Sequence, residues 1–491
     1  MKKGIVKLVG AGIGPKDNLT IKAYNAINEC DVLIYDRLLN SEIYENLLDR
    51  KECYYVGKTM GNHSMDQKKI EKLMVEKAKE GKNVVRLKGG DPYVFARGGE
   101  EAKFLYENNV DFEVVPGITS GIAALTYAGI PATIRKKVES LTFITGHKEK
   151  DKESDFSKYA KLKGTLVFYM ALKNIKKIFQ DLLKGGIDEN MPCAVIYNGG
   201  YPNQEVLIST VKELSYKDIE YKSPAILVVG EVVKYRNKFN FYEKLPLFNK
   251  KIAVTRSKEQ TKDLSYILEN KGASVIELPS IEIKPVNENI LKKLILNNNY
   301  THIIFHSANT VKIFINELFK FADIRKLNGV KICCVGKKTA KVFKQYGIIA
   351  DIVPDKYLGE ELYDLIKNDK ETKTKKILFP HSSLSDETLV DKYKENFDVD
   401  EFVIYENNRP KKMNEFEDFD YITFTSSSTV INFIKYYGIC KLKDKICVSI
   451  GPTTTKTLQN YGIRKIIEAK KSTIEDIVDV IEENVYENEK N

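Results

Sequence analysis

Residues 84–101 read VVRLKGGDPYVFARGGEE. A β-rich run, Val84 to Leu87, stops at Lys88-Gly89-Gly90-Asp91-Pro92, and a second glycine pair, Gly98-Gly99, separates Arg97 from Glu100-Glu101. Two glycines after a strand let backbone amides approach a ligand with no Cβ in the way. Asp91 at the strand end is placed to accept hydrogen bonds from that ligand, and Pro92 stiffens the turn. A lone glycine pair would read as the punctuation of an ordinary strand–turn–helix corner. Two pairs flanking one of few arginines point instead to a binding loop.

Outward from this segment, strand-like and helical patterns alternate. The expected strands include Ile5–Val9, Val32–Tyr35, Leu141–Thr145, Leu166–Tyr169 and Ala225–Val229, with helical periodicity over Gln67–Lys79 and Ile175–Leu183. Such alternation predicts an α/β fold with largely parallel strands, whose ligands bind beyond the C-terminal strand ends. A charged stretch, Lys234-Tyr235-Arg236-Asn237-Lys238, precedes a proline, Pro246, and a fresh strand from Lys251, which places a domain boundary at residue 247. The second half repeats itself. Phe305-His306-Ser307-Ala308-Asn309-Thr310-Val311 matches Phe424-Thr425-Ser426-Ser427-Ser428-Thr429-Val430, and Val335-Gly336-Lys337 matches Ile450-Gly451-Pro452, in the same order and at nearly equal offsets. The repeat predicts two similar α/β lobes facing a common cleft.

Composition narrows the function. A chain of 491 residues exceeds what one core supports, and 43% apolar with 30% charged residues is ordinary for a soluble protein. No apolar run approaches membrane-spanning length and the start shows no signal-peptide pattern, so a cytoplasmic location without membrane contact is expected. Seven scattered cysteines form no Cys-x-x-Cys pair and five histidines lack ligand spacing, so neither disulfides nor a metal is expected. The net charge of +10 comes mostly from lysine without basic–aromatic clusters, which favours an anionic small molecule over nucleic acid.

Four further sites in the first half carry chemistry. Gly10-Ala11-Gly12-Ile13-Gly14 follows the first strand, but its spacing departs from the dinucleotide fingerprint. Tyr35-Asp36-Arg37-Leu38 ends the second strand and reads as a local ion pair or as a carboxylate base beside an anion-binding arginine. In Gly57-Lys58-Thr59-Met60-Gly61-Asn62-His63-Ser64, Ser64 with Gln67 fits a capping box, which leaves Lys58 and His63 without a role. Thr119-Ser120-Gly121 opens a helix with hydroxyls suited to a carboxylate or an adenine edge.

Residues 1–244 resemble uroporphyrinogen-III C-methyltransferases of the tetrapyrrole methylase family. The resemblance rests on LVGAGIGPKDNLT, DVLIYDRL, YVGKTMGNHSMDQ, the opening segment, VVPGITSGIAALTYAGIPAT, ITGH, GTLVFYM and SPAILVVGEVV. It implies two α/β lobes holding S-adenosyl-L-methionine, a homodimer, and two methylations of uroporphyrinogen III to precorrin-2, a precursor of siroheme and cobalamin. By motif position, Gly12, Ile13, Gly89, Gly90, Asp91, Val94, Thr119, Ser120, Met170 and Gly199 would line the donor pocket. Asp36 and Lys58 take acid–base positions, and Arg97 with Glu100 takes positions for tetrapyrrole contact or proton removal. A guanidinium does not act as a base, so Arg97 reads as a bidentate carboxylate anchor and Asp36 as the base. Two loops depart from the family pattern: Gly-Pro-Gly-Asp becomes Gly12-Ile13-Gly14-Pro15, and Asn-Gly-Thr becomes Asn198-Gly199-Gly200.

Residues 250–485 resemble uroporphyrinogen-III synthases, through KIAVTRSKEQ, GASVIELPSIEI, YTHIIFHSANTVKIF, VGKKTAKVFKQYGI, YITFTSSSTVINF and SIGPTTTKTL. The expected division is a two-lobed methylase over 1–246 and a two-lobed synthase module over 247–491, with lobes 250–284 plus 411–491 and 285–410. The implied reaction closes hydroxymethylbilane with inversion of its last ring and needs no cofactor. Candidate substrate contacts are Arg256, Ser307, Ser426, Ser427, Thr453 and Thr454, whose bland reading is plain N-caps. An alternative keeps a methylase for another corrinoid precursor and makes the second half a non-catalytic anion-binding module.

Overall fold

The computed structural model describes residues 4–36, 39–40, 43–44, 47–48, 50–57, 66–147, 155–219, 222–286, 288–297, 299–354, 359–369, 374–383, 387–408, 410 and 414–490. The chain divides into two compact units, Met1–Lys251 with Leu268–Ser274 and Glu482–Asn491, and Ile252–Ile267 with Val275–Ile481.

In the first unit, strands β1 (Val6–Gly10), β2 (Val32–Tyr35), β3 (Glu52–Tyr55), β4 (Val84–Lys88) and β5 (Phe112–Val115) form a parallel sheet in the order β3-β2-β4-β1-β5. The apolar runs are buried on both faces, as helices covering both sides of a parallel sheet require. Val6, Leu8 and Val84 pack with Ile70 and Met74 of the helix Gln67–Lys79 and with Ala102 and Leu105 of the helix Gly98–Glu107. Val9, Val85 and Leu87 face the other side, against Ala23, Ala26 and Ile27 of the helix Ile21–Glu29. Side chains alternate along a strand, so Arg86 and Lys88 share the face of Val84 and lie beneath the first two helices.

The second sheet corrects the parallel expectation. Strands β6 (Leu141–Thr145), β7 (Thr165–Tyr169), β8 (Pro192–Tyr197), β9 (Glu205–Thr210) and β10 (Ala225–Val229) run in the order β6-β7-β10-β8-β9. Only β6 and β7 are parallel; β10 is antiparallel to both neighbours, and β8 and β9 form an antiparallel pair. Strands buried on both faces have continuous apolar runs in either orientation, so direction leaves no trace in the pattern.

The second unit holds two sheets. One contains β11 (Lys251–Val254) and β12 (Ser274–Glu277). The chain then builds the other from β13 (Glu282–Pro285), β14 (His302–Phe305), β15 (Lys331–Cys334), β16 (Lys376–Ser382) and β17 (Asp398–Asn408). It returns to the first with β18 (Tyr421–Phe424), β19 (Ile446–Ser449) and β20 (Ile466–Glu468). The expected lobe boundary between residues 284 and 285 falls inside β13, which pairs antiparallel with β17. The repeated corners sit one in each sheet. Ser307 and Ser426 each cap the following helix by accepting from the amide three residues on, Thr310 and Thr429.

Candidate functional site

The C-terminal edge of the first sheet is knitted from three loops. The Ala11 amide donates to the Lys88 carbonyl at 2.8 Å, and Gly12 and Gly90 exchange amide–carbonyl bonds at 3.1 and 2.8 Å. Gly117, after β5, closes the stack: a Cβ there would lie 2.3 Å from the Gly90 oxygen. The Gly117 amide donates to Asp91 Oδ2 at 3.1 Å, and Asp91 Oδ1 accepts from the Tyr93 amide at 2.9 Å. Asp91 therefore clamps the loop whose glycines line the cavities.

Two cavities of about 440 and 420 Å³ adjoin here and share Gly89, Gly90 and Ser120 in their walls. Ile13 and Gly199 line the first, together with Asn198 and Tyr201. The second is lined by Asp36, Asp91, Val94, Arg97, Thr119 and Met170. Glu100 borders a third hollow with Arg97 and Met170. Gly12 contributes through its backbone bridge to Gly90. The two loops that depart from the family pattern meet: a Cβ on Gly14 would lie 2.6 Å from the Gly200 oxygen, so this approach needs a glycine at residue 14. Tyr169 holds the helix that carries Ser120, its hydroxyl lying 2.8 Å from Thr119 Oγ1 and accepting from the Gly121 amide at 2.8 Å.

Lys58, His63 and Ser64 lie outside the described residues, as does Arg37. Gln67, expected to close a capping box, is the first residue of its helix, after an N-cap at Asp66. Its side-chain amide donates to Glu101 Oε1 at 3.2 Å.

Glu101 heads a cluster that the sequence reading missed. It is fully buried, and Lys88 Nζ donates to its two oxygens at 3.0 and 2.9 Å. Arg86 reaches Glu101 Oε1 through Nε at 3.4 Å and Asp36 Oδ2 through Nη2 at 3.3 Å. Burial, then the neighbouring Arg86 charge, pushes the Lys88 ammonium below its usual range against the pull of Glu101. Arg86, Lys88 and Gln67 line the second cavity beside Asp36. The signal was available: two cations at alternate positions of a wholly buried strand demand buried carboxylates.

In the second unit the candidates divide between the sheets. Arg256 follows β11, Ser426 and Ser427 follow β18, and Thr453 and Thr454 lie after β19, all at the C-terminal edge of three adjacent parallel strands. Thr457 Oγ1 lies 2.7 Å from Ser427 Oγ and 2.9 Å from the Thr453 carbonyl, tying two helix starts together. Thr454 is buried, and Arg256 Nε is buried without a hydrogen-bond partner among the described residues. Ser307 sits in the other sheet, 3.3 Å from the Tyr405 hydroxyl.

His306 supplies a pH-dependent stability term. Its ring stacks on Phe379 at 5.1 Å, and burial, with repulsion from His381, lowers its pKa to about 4. The unfolded value, 6.5, is higher, so the unfolded chain binds the extra proton between the two. Its stabilising effect is complete above pH 6.5 and is lost as pH falls towards 4. It amounts to on the order of 3 kcal/mol. Denaturant unfolding of wild type against His306→Phe should show a shallower acid loss in the variant; parallel curves would refute the assignment.

The chain is a two-unit α/β protein whose first unit carries adjoining ligand cavities at one sheet edge. A family model of tetrapyrrole (corrin/porphyrin) methylases matches residues 6–215, and one of uroporphyrinogen-III synthase matches residues 262–479. The chain is 38% identical over 506 residues to a porphyrin biosynthesis protein HemD of Ruminiclostridium josui, covering 99% of this chain and 100% of that protein. It is 46% identical over 244 residues to a uroporphyrinogen-III C-methyltransferase of Bacillus subtilis (strain 168), covering 49% of this chain and 95% of the relative. An S-adenosyl-L-methionine-dependent uroporphyrinogen III methyltransferase of Methanosarcina barkeri is 45% identical over 235 residues, covering 47% and 92%. The chain thus belongs to the tetrapyrrole methylases through its first half and to the uroporphyrinogen-III synthases through its second, a bifunctional enzyme of tetrapyrrole biosynthesis. Among the described residues no helix is long and apolar enough to cross a membrane.

Proposed function

We propose that the second half, residues 247–491, closes hydroxymethylbilane to uroporphyrinogen III and that the first half, residues 1–246, methylates this product twice with S-adenosyl-L-methionine to precorrin-2. The observation that carries the reading is the pair of cavities sharing Gly89, Gly90 and Ser120. A donor and an acceptor on either side of one glycine loop are held close, which is most of what a methyl transfer requires. The first cavity fits an adenosyl group: Ile13, Leu39, Ala124, Ile196 and Pro224 give it apolar walls, Asn198, Tyr201 and Asn203 give it polar groups, and a Cβ on Gly199 would lie 2.5 Å from Ala124 Cβ. Bound there, S-adenosyl-L-methionine would supply an electrophilic sulfonium methyl.

Arg97 faces the second cavity and anchors a carboxylate of the polyanionic acceptor, with Glu100 at the rim beside it. Asp36 accepts the proton that leaves the acceptor ring after methylation. In the second half, Arg256, the hydroxyls of Ser426, Ser427, Thr453 and Thr454, and Ser307 in the other lobe hold the carboxylates of the linear tetrapyrrole while its ends meet.

The test gives the full chain hydroxymethylbilane with and without S-adenosyl-L-methionine. Without the donor, uroporphyrinogen III should form in place of the spontaneous I isomer; with it, precorrin-2 should accumulate. Formation of the I isomer alone would overturn the synthase assignment. Failure to methylate supplied uroporphyrinogen III would overturn the methylase assignment.

A further inference from the structure

We propose that Arg86 is a positioning residue for proton removal: its guanidinium bridges the cavity carboxylate of Asp36 to the buried carboxylate of Glu101 and so sets where Asp36 points. The inference rests on the reading of Asp36 as the base.

Arg86 sits in the central strand β4 with 4% of its surface exposed. Its position is over-determined. Nη1 donates to the Leu87 carbonyl at 3.0 Å and the Ile34 carbonyl at 3.5 Å, Nη2 to Asp36 Oδ2 at 3.3 Å, and Nε to Glu101 Oε1 at 3.4 Å. Ile34 lies two residues before Asp36, so the same guanidinium holds both the backbone of β2 and the carboxylate at its end. A planar fork with donors in fixed directions orients a carboxylate in a way that a point charge does not.

Glu101 keeps the fork from turning. Its own orientation is set by Lys88 from the same strand face and by Gln67 from the adjacent helix. Arg86 pairs with the carboxylates of Glu101 and Asp36, and Lys88 pairs with Glu101. Buried charges persist when paired and hydrogen-bonded in this way. Asp36 is the member at the cavity with its side chain 26% exposed, whereas the side chains of Arg86, Lys88 and Glu101 are at 5%, 5% and 0%. The chain from Glu101 to Asp36 thus runs from a fixed interior to the carboxylate of this cluster that is partly exposed at the cavity. Nothing in it requires Arg86 to touch either substrate.

The test is a double-mutant cycle on the full chain, with Arg86→Lys and Asp36→Asn made singly and together, each assayed for methylation of uroporphyrinogen III. Binding of S-adenosylhomocysteine serves as the check that the first unit is folded. Arg86→Lys should lower kcat roughly tenfold or more and change KM for either substrate by less than about threefold. On the Asp36→Asn background it should lower kcat no further, because the group it positions is gone. Where Arg86→Lys does not bind S-adenosylhomocysteine, Glu101→Gln takes its place, with a smaller kcat loss that likewise vanishes in the Asp36→Asn background. Losses that multiply, or a change confined to KM, overturn the positioning role and leave Asp36 as the base. An undiminished kcat in Asp36→Asn overturns the base assignment and this inference with it.

Discussion

Gly117→Val should abolish binding of the methyl donor, with a loss of at least a hundredfold in affinity for S-adenosylhomocysteine by calorimetry. The reason is packing of backbone on backbone. A Cβ at residue 117 meets the Gly90 oxygen at 2.3 Å and Gly10 Cα at 2.8 Å. The Gly90 oxygen has no freedom to retreat, because it accepts from the Gly12 amide. The branched side chain must therefore part the loops after β1, β4 and β5, and Gly89 and Gly90 line both cavities. Overpacking of this kind costs about 1–3 kcal/mol in an apolar core and more against rigid backbone. The second unit holds its own two sheets, so cyclisation of hydroxymethylbilane by the same variant should persist. Donor binding within a few fold of wild type would show that the loops adjust and that the cradle is not set by this contact.

Arg97→Lys and Asp36→Asn should fail in different ways. Arg97 is exposed, lines the second cavity and borders a hollow of about 370 Å³ with Phe95, Glu100 and Met170. Lysine keeps the charge and loses the bidentate fork, so KM for uroporphyrinogen III should rise roughly tenfold or more while kcat falls little. Asp36→Asn keeps the shape and removes the base, so kcat should fall by about 10²–10⁴ with KM nearly constant. Steady-state kinetics with varied acceptor at saturating donor separates the two, and the opposite pattern would exchange the roles of anchor and base. Asp91, placed in the donor pocket by motif position, is a poorer probe of donor binding than Gly117. Its carboxylate accepts from two backbone amides, so its removal disturbs the loop as well as any ligand.

The charged cluster beneath the helices shows where sequence reading stops. Glu101 was visible only as half of an acidic pair with Glu100, yet one residue is exposed and the other fully buried. Adjacent positions on a helix face different directions, and only the packing of Gly98–Glu107 over β4 decides which of the two turns inward. Arg86 and Lys88 sit in a strand recognised from its valines and leucine, and their charged partners come from the end of β2 and from the helix Gly98–Glu107.

Local features were legible in the chain alone: strands β1, β2 and β4 with the helix Gln67–Lys79, the glycine loop after β4, the internal repeat with its serine caps, and the motifs that carry the family. Each follows from periodicity, capping chemistry or the stereochemistry of glycine over a few residues. Contacts between distant elements set the antiparallel pairing of β7, β10, β8 and β9, the meeting of Gly14 with Gly200, and the bridge from Asp36 through Arg86 to Glu101. These join residues of different elements, as far apart in the chain as Gly14 and Gly200, and a burial pattern records that a side chain is inside without recording what it meets there.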